Sequence, residues 1–150
     1  MIVHLLAALA FAGPPQRNTT NHCFSGVESV VFHCALTNGK WIDICADNQS
    51  ATPTHAQYRF GTQGTIELQK PEITAGNLSE WTFAESALPR GMQRTASFVN
   101  EGHTYEVFVT EAGAETQAGV SIRKGDTVVA TLTCAGQTFD DNLTLLIARP

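Results

Sequence analysis

Short runs of alternating apolar and polar residues recur along this chain, most of them ended by a Gly-containing turn. No other feature constrains the fold as much. Val30 to Leu36 and Trp41 to Cys45 flank Asn38-Gly39, the dipeptide preferred in a two-residue hairpin turn. Gln57 to Phe60 and Thr65 to Gln69 flank Gly61-Thr62-Gln63-Gly64. Thr95 to Val99 and His103 to Thr110 flank Asn100-Glu101-Gly102, and Gly119 to Arg123 and Thr127 to Cys134 flank Lys124-Gly125-Asp126. Tyr105, Val107 and Val109 alternate with Thr104, Glu106 and Phe108, while Val128, Ala130, Leu132 and Cys134 share one face of the last run. A side-chain period of two, with turns every eight to twelve residues or about that, predicts an all-β fold. The expected form is an antiparallel meander of about nine strands, closed as a small barrel or sandwich.

Two stretches fit this pattern less simply. Glu72 to Pro89 carries Trp81 and Phe83 in a plausible strand with loop-like flanks. Near the C-terminus, Thr138-Phe139-Asp140-Asp141 reads as a helix cap, followed by Phe139, Leu143, Leu146 and Ile147 at helical spacing. A short helix packed on the sheet is expected there, with a tenth strand as the alternative.

The N-terminus predicts export. Leu5 to Ala12 is an unbroken run of Leu, Ala and Phe ending in Ala10-Phe11-Ala12, with small residues where a signal peptidase requires them. This divides the chain into a signal peptide over 1–12, a flexible lead-in over 13–22 and a single β domain over 23–150, with Gly13 as the mature start. Cys23, Cys34, Cys45 and Cys134 are an even set without a CxxC pair, so in an exported chain they read as two disulfides rather than a zinc site. A two-residue turn at Asn38-Gly39 would set Cys34 opposite Asp43, on the face that also carries Cys45. The expected pairing is therefore Cys34–Cys45, with Cys23–Cys134 tying the chain ends. His22, His33 and His55 lie close in sequence to these thiols and define the alternative, a Cys/His metal protein or enzyme.

Fourteen Asp and Glu against nine Lys and Arg give a net charge of −5 with no basic cluster, which excludes a phosphate-tracking nucleic-acid surface. No apolar run beyond the N-terminus is long enough to span a membrane as a helix. No nucleophile elbow, zinc-protease helix, phosphate loop or calcium loop occurs, so neither catalytic residues, a metal nor a cofactor is expected. Ser25 has no His and acid placed beside it, Asp140-Asp141 reads as charge at a helix N-terminus, and Glu67 and Glu85 read as solvent-facing. Trp41 and Trp81 could stack on a ligand or fill the core. Sequons begin at Asn18, Asn48, Asn77 and Asn142, and they would carry surface glycans only in a eukaryotic secretory chain.

Two resemblances follow from these motifs. Phe32-His33-Cys34-Ala35-Leu36-Thr37-Asn38-Gly39-Lys40, Ile44-Cys45, Gln57-Tyr58-Arg59-Phe60-Gly61 and Ile66-Glu67-Leu68 resemble a group of small exported proteobacterial proteins. Their shared C-x-L-x-N-G-K…C…Y-R-F-G…E-L pattern implies location and fold but no activity. Gly102-His103-Thr104-Tyr105 and Arg123-Lys124-Gly125-Asp126 resemble the two loops with which bacterial inhibitors of c-type lysozyme plug the enzyme's cleft. That likeness implies partner contacts at Gly102, Tyr105, Lys124 and Gly125, with Lys124 as the inserted cation and Tyr105 as its packing support. Glu101 departs from the family's Ser, and Arg123 from its Thr. The function expected is thus an exported, periplasmic or secreted, disulfide-linked binding module, lysozyme-inhibitor-like in its loops. A structural envelope component is a further alternative.

Overall fold

The computed structural model describes residues 13–136 and 139–147; the expected signal peptide over 1–12 lies outside these, as does Thr138 of the expected cap. Four strands, β1 (Glu28–Ala35), β2 (Trp41–Asp47), β3 (Ala56–Thr62) and β4 (Thr65–Lys70), form the first meander. A single 3₁₀ turn at Leu78–Glu80 leads into the second, β5 (Trp81–Leu88), β6 (Gly91–Asn100), β7 (His103–Ala112), β8 (Glu115–Lys124) and β9 (Thr127–Thr133). The chain then returns to the first sheet as β10 (Phe139–Asp141), and the last described element is one helical turn, α1 (Thr144–Ile147). The result is two five-stranded antiparallel sheets, ordered β10-β1-β2-β3-β4 and β5-β6-β7-β8-β9. They pack as a sandwich, and the C-terminal segment supplies both the strand and the helix that stood as alternatives.

Period-two alternation places the core between the sheets. Phe32, Ile42, Ile44 and Tyr58 point inward from the first sheet, and Ala96, Phe98, Val107, Val109 and Val120 from the second. Burial of each large aliphatic side chain contributes about 1.5–3 kcal/mol. Tyr105 closes one end of this layer, its ring stacked on Phe98 at 5.2 Å between centroids. Arg94 reaches from β6 across to Asp141 on β10, with Nη2 2.6 Å from the carboxylate. Asp141 therefore anchors the two sheets from a strand, and its Oδ1 also accepts from the Leu143 N–H at the start of α1 at 3.2 Å.

The β1–β2 turn differs from expectation. Leu36 N–H donates to the Lys40 carbonyl and Gly39 N–H to that of Leu36, so the loop is Thr37-Asn38-Gly39, three residues long. Gly39 has φ +81° while Asn38 does not enter the left-handed region. A two-residue type I′ turn needs positive φ at both central residues; a three-residue loop needs one Gly in the left-handed region. The extra residue sets Cys34 opposite Ile42 rather than Asp43. A shift of one residue turns a strand over, so Cys34 enters the core while Cys45 lies on the outer face. The expected pairing is thereby corrected to Cys34–Cys134, which joins the two sheets, and Cys23–Cys45, which ties the N-terminal segment to β2. A second irregularity, where Ile122 pairs with Ala130 but Arg123 with Val128, moves Val128 off the inner face and leaves it exposed.

The two bridges span 100 and 22 residues of sequence. On loop-closure entropy, losing the longer is expected to cost about 4–5 kcal/mol and the shorter about 3 kcal/mol. The double variant Cys34→Ala/Cys134→Ala should therefore show a lower urea midpoint than Cys23→Ala/Cys45→Ala. Chemical denaturation of the two double variants measures that order directly.

Candidate functional site

The outer face of the first sheet is polar, and much of it is buried. Alternation in β1, β2 and β3 sends Glu28, His33, Asp43, Asp47, Gln57 and Arg59 to this side, opposite the core residues. The chain before β1 lies across them. Arg17 bridges to Phe24, Ser25 N–H donates to the Gln16 carbonyl, and Cys23–Cys45 fixes the segment to β2. The lead-in over 13–22 is therefore fastened along Arg17 to His22, and its last residue is almost wholly buried.

Asp43 is the centre of this third layer. Its fully buried carboxylate accepts from His33 Nδ1 at 2.6 Å and from the His22 backbone N–H at 3.1 Å. His22 Nδ1 lies 2.8 Å from the same group, without the alignment of a hydrogen bond. The other ring nitrogen, Nε2, is 2.8 Å from the Thr62 carbonyl. A carbonyl only accepts, so Nε2 carries a proton. Trp41 packs against both imidazoles, at 5.2 Å from His22 and 5.7 Å from His33.

These contacts move the titrations. Burial works to raise the Asp43 pKa, but hydrogen bonds from His22 and His33 and their charges outweigh it and hold the carboxyl below its ordinary value. Burial likewise works to lower the His33 pKa. The hydrogen bond to Asp43, and the charges of Asp43 and Asp140, prevail and raise it.

Beside this cluster sits a buried ion pair. Arg59 donates from Nη1 and Nη2 to the two carboxylate oxygens of Glu28, at 2.7 and 2.8 Å. It also donates from Nε to Gln57 and from Nη1 to the His22 carbonyl. A guanidinium this enclosed is stable only because nearly all its donors are used. The Phe24 ring covers it, with Arg59 Cζ 5.3 Å and Arg17 Cζ 4.4 Å from the ring centroid.

Between the N-terminal segment and the loop after β2 opens a groove of about 430 Å³. Pro15, Phe24, Val27 and Ile73 form its apolar sides, and Glu28, Arg59, Asp47 and His55 its polar part. A hollow of about 440 Å³ at the β1–β2 turn is comparable in size, but Leu36, Thr37, Asn38 and the chain from Thr131 to Gly136 give it no charged side chain. Mainly apolar walls with a few converging polar groups are the usual make-up of a small-molecule site, which favours the first groove.

Other expected residues are distributed elsewhere. Gly102 and Gly125 occupy tight turns with φ +76° and +60°, and His103 pairs with Lys124, so these turns are neighbours. Lys124 is exposed, whereas the Tyr105 ring lies between the sheets against Phe98 and Tyr58. His22 and His33 meet at Asp43, but His55 stands apart with its ring 3.6 Å from Asp47. Among the described residues, no group of three or more His, Cys, Asp or Glu is arranged to hold a metal ion. Trp81 is buried and donates to the Ala56 carbonyl. Asn77 is fully buried, its side chain engaging the Ala56 backbone, which leaves this sequon no room for a glycan. Sequence reasoning missed Asp43, Glu28 and Arg59 as a group. Their signal was a charged residue inside otherwise apolar strands, Trp-Ile-Asp-Ile-Cys and Gln-Tyr-Arg-Phe. Comparison of the chain with protein-family models, with curated proteins and with solved structures gives no significant match.

The pH dependence of stability follows from the two shifts. Asp43, with its pKa lowered, stabilises the fold above its ordinary value of 3.8 and loses that contribution as pH falls through the lower folded value. His33, with its pKa raised, contributes fully below 6.5 and loses that contribution as pH rises through the higher folded value. Stability from this cluster is thus greatest between these limits. Asp43→Asn should cost about 3–5 kcal/mol, as expected on removing one partner of a buried pair. His33→Gln should flatten the decline above pH 6.5. Urea titrations at pH 5, 6.5 and 8 on the parent and both variants test the two expectations.

Proposed function

We propose that this chain is an exported, disulfide-linked binding module that works in the periplasm or outside the cell. The observation that carries this reading is the pairing of all four cysteines, Cys34 with Cys134 in the core and Cys23 with Cys45 beneath the N-terminal segment. Such bridges persist in oxidising compartments and are rare in reducing ones. The apolar run before Gly13 agrees with export, and no described helix is long and apolar enough to cross a membrane. The groove beside Phe24 supports binding as the mode of action.

Within this reading, one observation favours c-type lysozyme as a partner. The turns at Gly102 and Gly125 stand side by side, with Lys124 free to enter an acidic cleft. Tyr105 would support the turns from between the sheets rather than touch the enzyme.

Mass spectrometry of the protein recovered from the cell envelope, with and without reductant, tests the export reading. The expected result is a mass matching a Gly13 start, lighter than the fully reduced chain by the hydrogens lost in two disulfides. Free thiols with a retained ion would replace this reading with a Cys/His metal protein, and co-purification with the cell wall would favour a structural component. Titration into c-type lysozyme tests the partner. Inhibition that Lys124→Ala relieves at least about tenfold, a loss of about 1.4 kcal/mol of binding, is expected. Unchanged lysis at stoichiometric excess removes lysozyme.

A further inference from the structure

The groove beside the N-terminal segment is lined by two carboxylates, one guanidinium and one imidazole. Glu28 and Asp47 are register partners on β1 and β2. Their side chains therefore leave the same face directly opposite each other, where like charges repel. The Arg59 guanidinium gives both of its carboxylate contacts to Glu28, and the His55 ring stands beside Asp47 with Nδ1 at 3.6 Å. Asp47 accepts instead from Thr54 N–H at 2.7 Å, His55 N–H at 2.9 Å and Thr54 Oγ1 at 3.0 Å. Burial works against its ionisation, but these hydrogen bonds and the His55 charge hold the carboxyl below its ordinary value. Asp47 is thus a fixed anion at the edge of a largely apolar hollow. On the same groove, Ile73 keeps an aliphatic side chain 41% exposed. Water covers the exposed aliphatic surface poorly, and a molecule that is apolar at one end and positive at the other would cover it while setting its charge beside Asp47.

We propose that this groove binds a small organic amine, with its apolar body against Phe24, Val27 and Ile73 and its ammonium group beside Asp47. The proposal rests on the binding-module reading and names the site and ligand class within it. Charge complementarity selects the cation: Arg59 is committed to Glu28 and the His55 ring lies against Asp47, so a carboxylate ligand would meet Asp47 with both of these groups already engaged. The volume of about 430 Å³ suits a small molecule rather than a folded partner.

Two probes of similar size and opposite charge test it, 2-phenylethylammonium and 3-phenylpropionate. Each is titrated into the disulfide-intact protein and followed by amide NMR. The expected outcome is saturable shifts at Phe24, Asp47 and Ile73 with the amine, and binding of the carboxylate at least about tenfold weaker. Asp47→Asn keeps an oxygen to accept from Thr54 and His55 but removes the charge, and should weaken the amine about tenfold. Ile73→Ser, at an exposed position, should weaken it without affecting the fold. Equal affinity for the two probes, no saturable shift, or full affinity in both variants would overturn the proposal. A Lys-containing peptide that shifts these residues where the amine does not would overturn it in favour of a peptide site. If neither probe binds a protein that still emerges from the envelope with both disulfides formed, the ligand class fails and the exported-module reading stands.

Discussion

The three-residue turn at Thr37-Asn38-Gly39 holds Ala35 opposite Trp41, and this register decides which side chains of β1 and β2 face the core. Phe32, Cys34, Ile42 and Ile44 turn inward together; His33, Asp43 and Cys45 turn outward together. A two-residue loop would bring Cys34 onto the face of Asp43 and exchange a buried half-cystine for a charged group between the sheets. An unpaired carboxylate there would cost several kcal/mol. The hydrophobic pattern and the turn thus enforce the same choice. Both disulfides inherit it, since Cys34 can reach only a partner across the core and Cys45 only one on the outer layer.

The outward set would be an ordinary solvated face if the N-terminal segment did not lie across it. Once covered, Asp43, His22, Gln57 and Arg59 lose water, and each needs protein partners. The structure supplies them by sharing. The His22 carbonyl accepts from both Arg17 and Arg59, its backbone N–H donates to Asp43, and its ring spans Asp43 and the Thr62 carbonyl. One residue of the covering segment thereby meets two buried side chains of the sheet, Asp43 and Arg59, and the carbonyl at the end of β3. Such a layer gains little net free energy from its charges, because desolvation offsets attraction. It does make the position of the segment specific, since sliding it along the sheet would strand Asp43 and Arg59 together.

The meander was readable because its evidence is local. Tyr105, Val107 and Val109 alternate cleanly, and each hairpin carries its own turn residues, so neither depends on distant parts of the chain. The turn at Asn38-Gly39 misled because the same dipeptide serves two loop lengths that differ in register by one residue. Nothing near it in sequence separates them; what does is the burial of Cys34 against a second sheet that starts more than forty residues later. Asp43 and Arg59 were hidden for a related reason. A charged residue in a strand normally marks the solvent side, and here it does mark the outer face. Only the bridge from Cys23 to Cys45 reveals that this face is covered.

Placement of the groove on the outer layer, and not in the sandwich, follows from how the interior is filled. Tyr58, Trp81, Phe83, Phe98 and Tyr105 pack ring against ring between the sheets, with centroids 5.0–5.9 Å apart. Space of ligand size is therefore left where an irregular segment crosses a regular sheet. Phe24 and Val27, which form one side of the groove, stand on the segment that His22 and Cys23 fasten, while Glu28, Asp47 and Arg59 belong to the sheet beneath. The groove thus has one side on a rigid lattice of strands and the other on a strap held by a disulfide and a buried carboxylate. For the proposed amine, holding both sides beforehand reduces the ordering cost of binding. The polar layer thereby also positions the aromatic side of the groove, because His22 and Cys23 fasten the segment that carries Phe24.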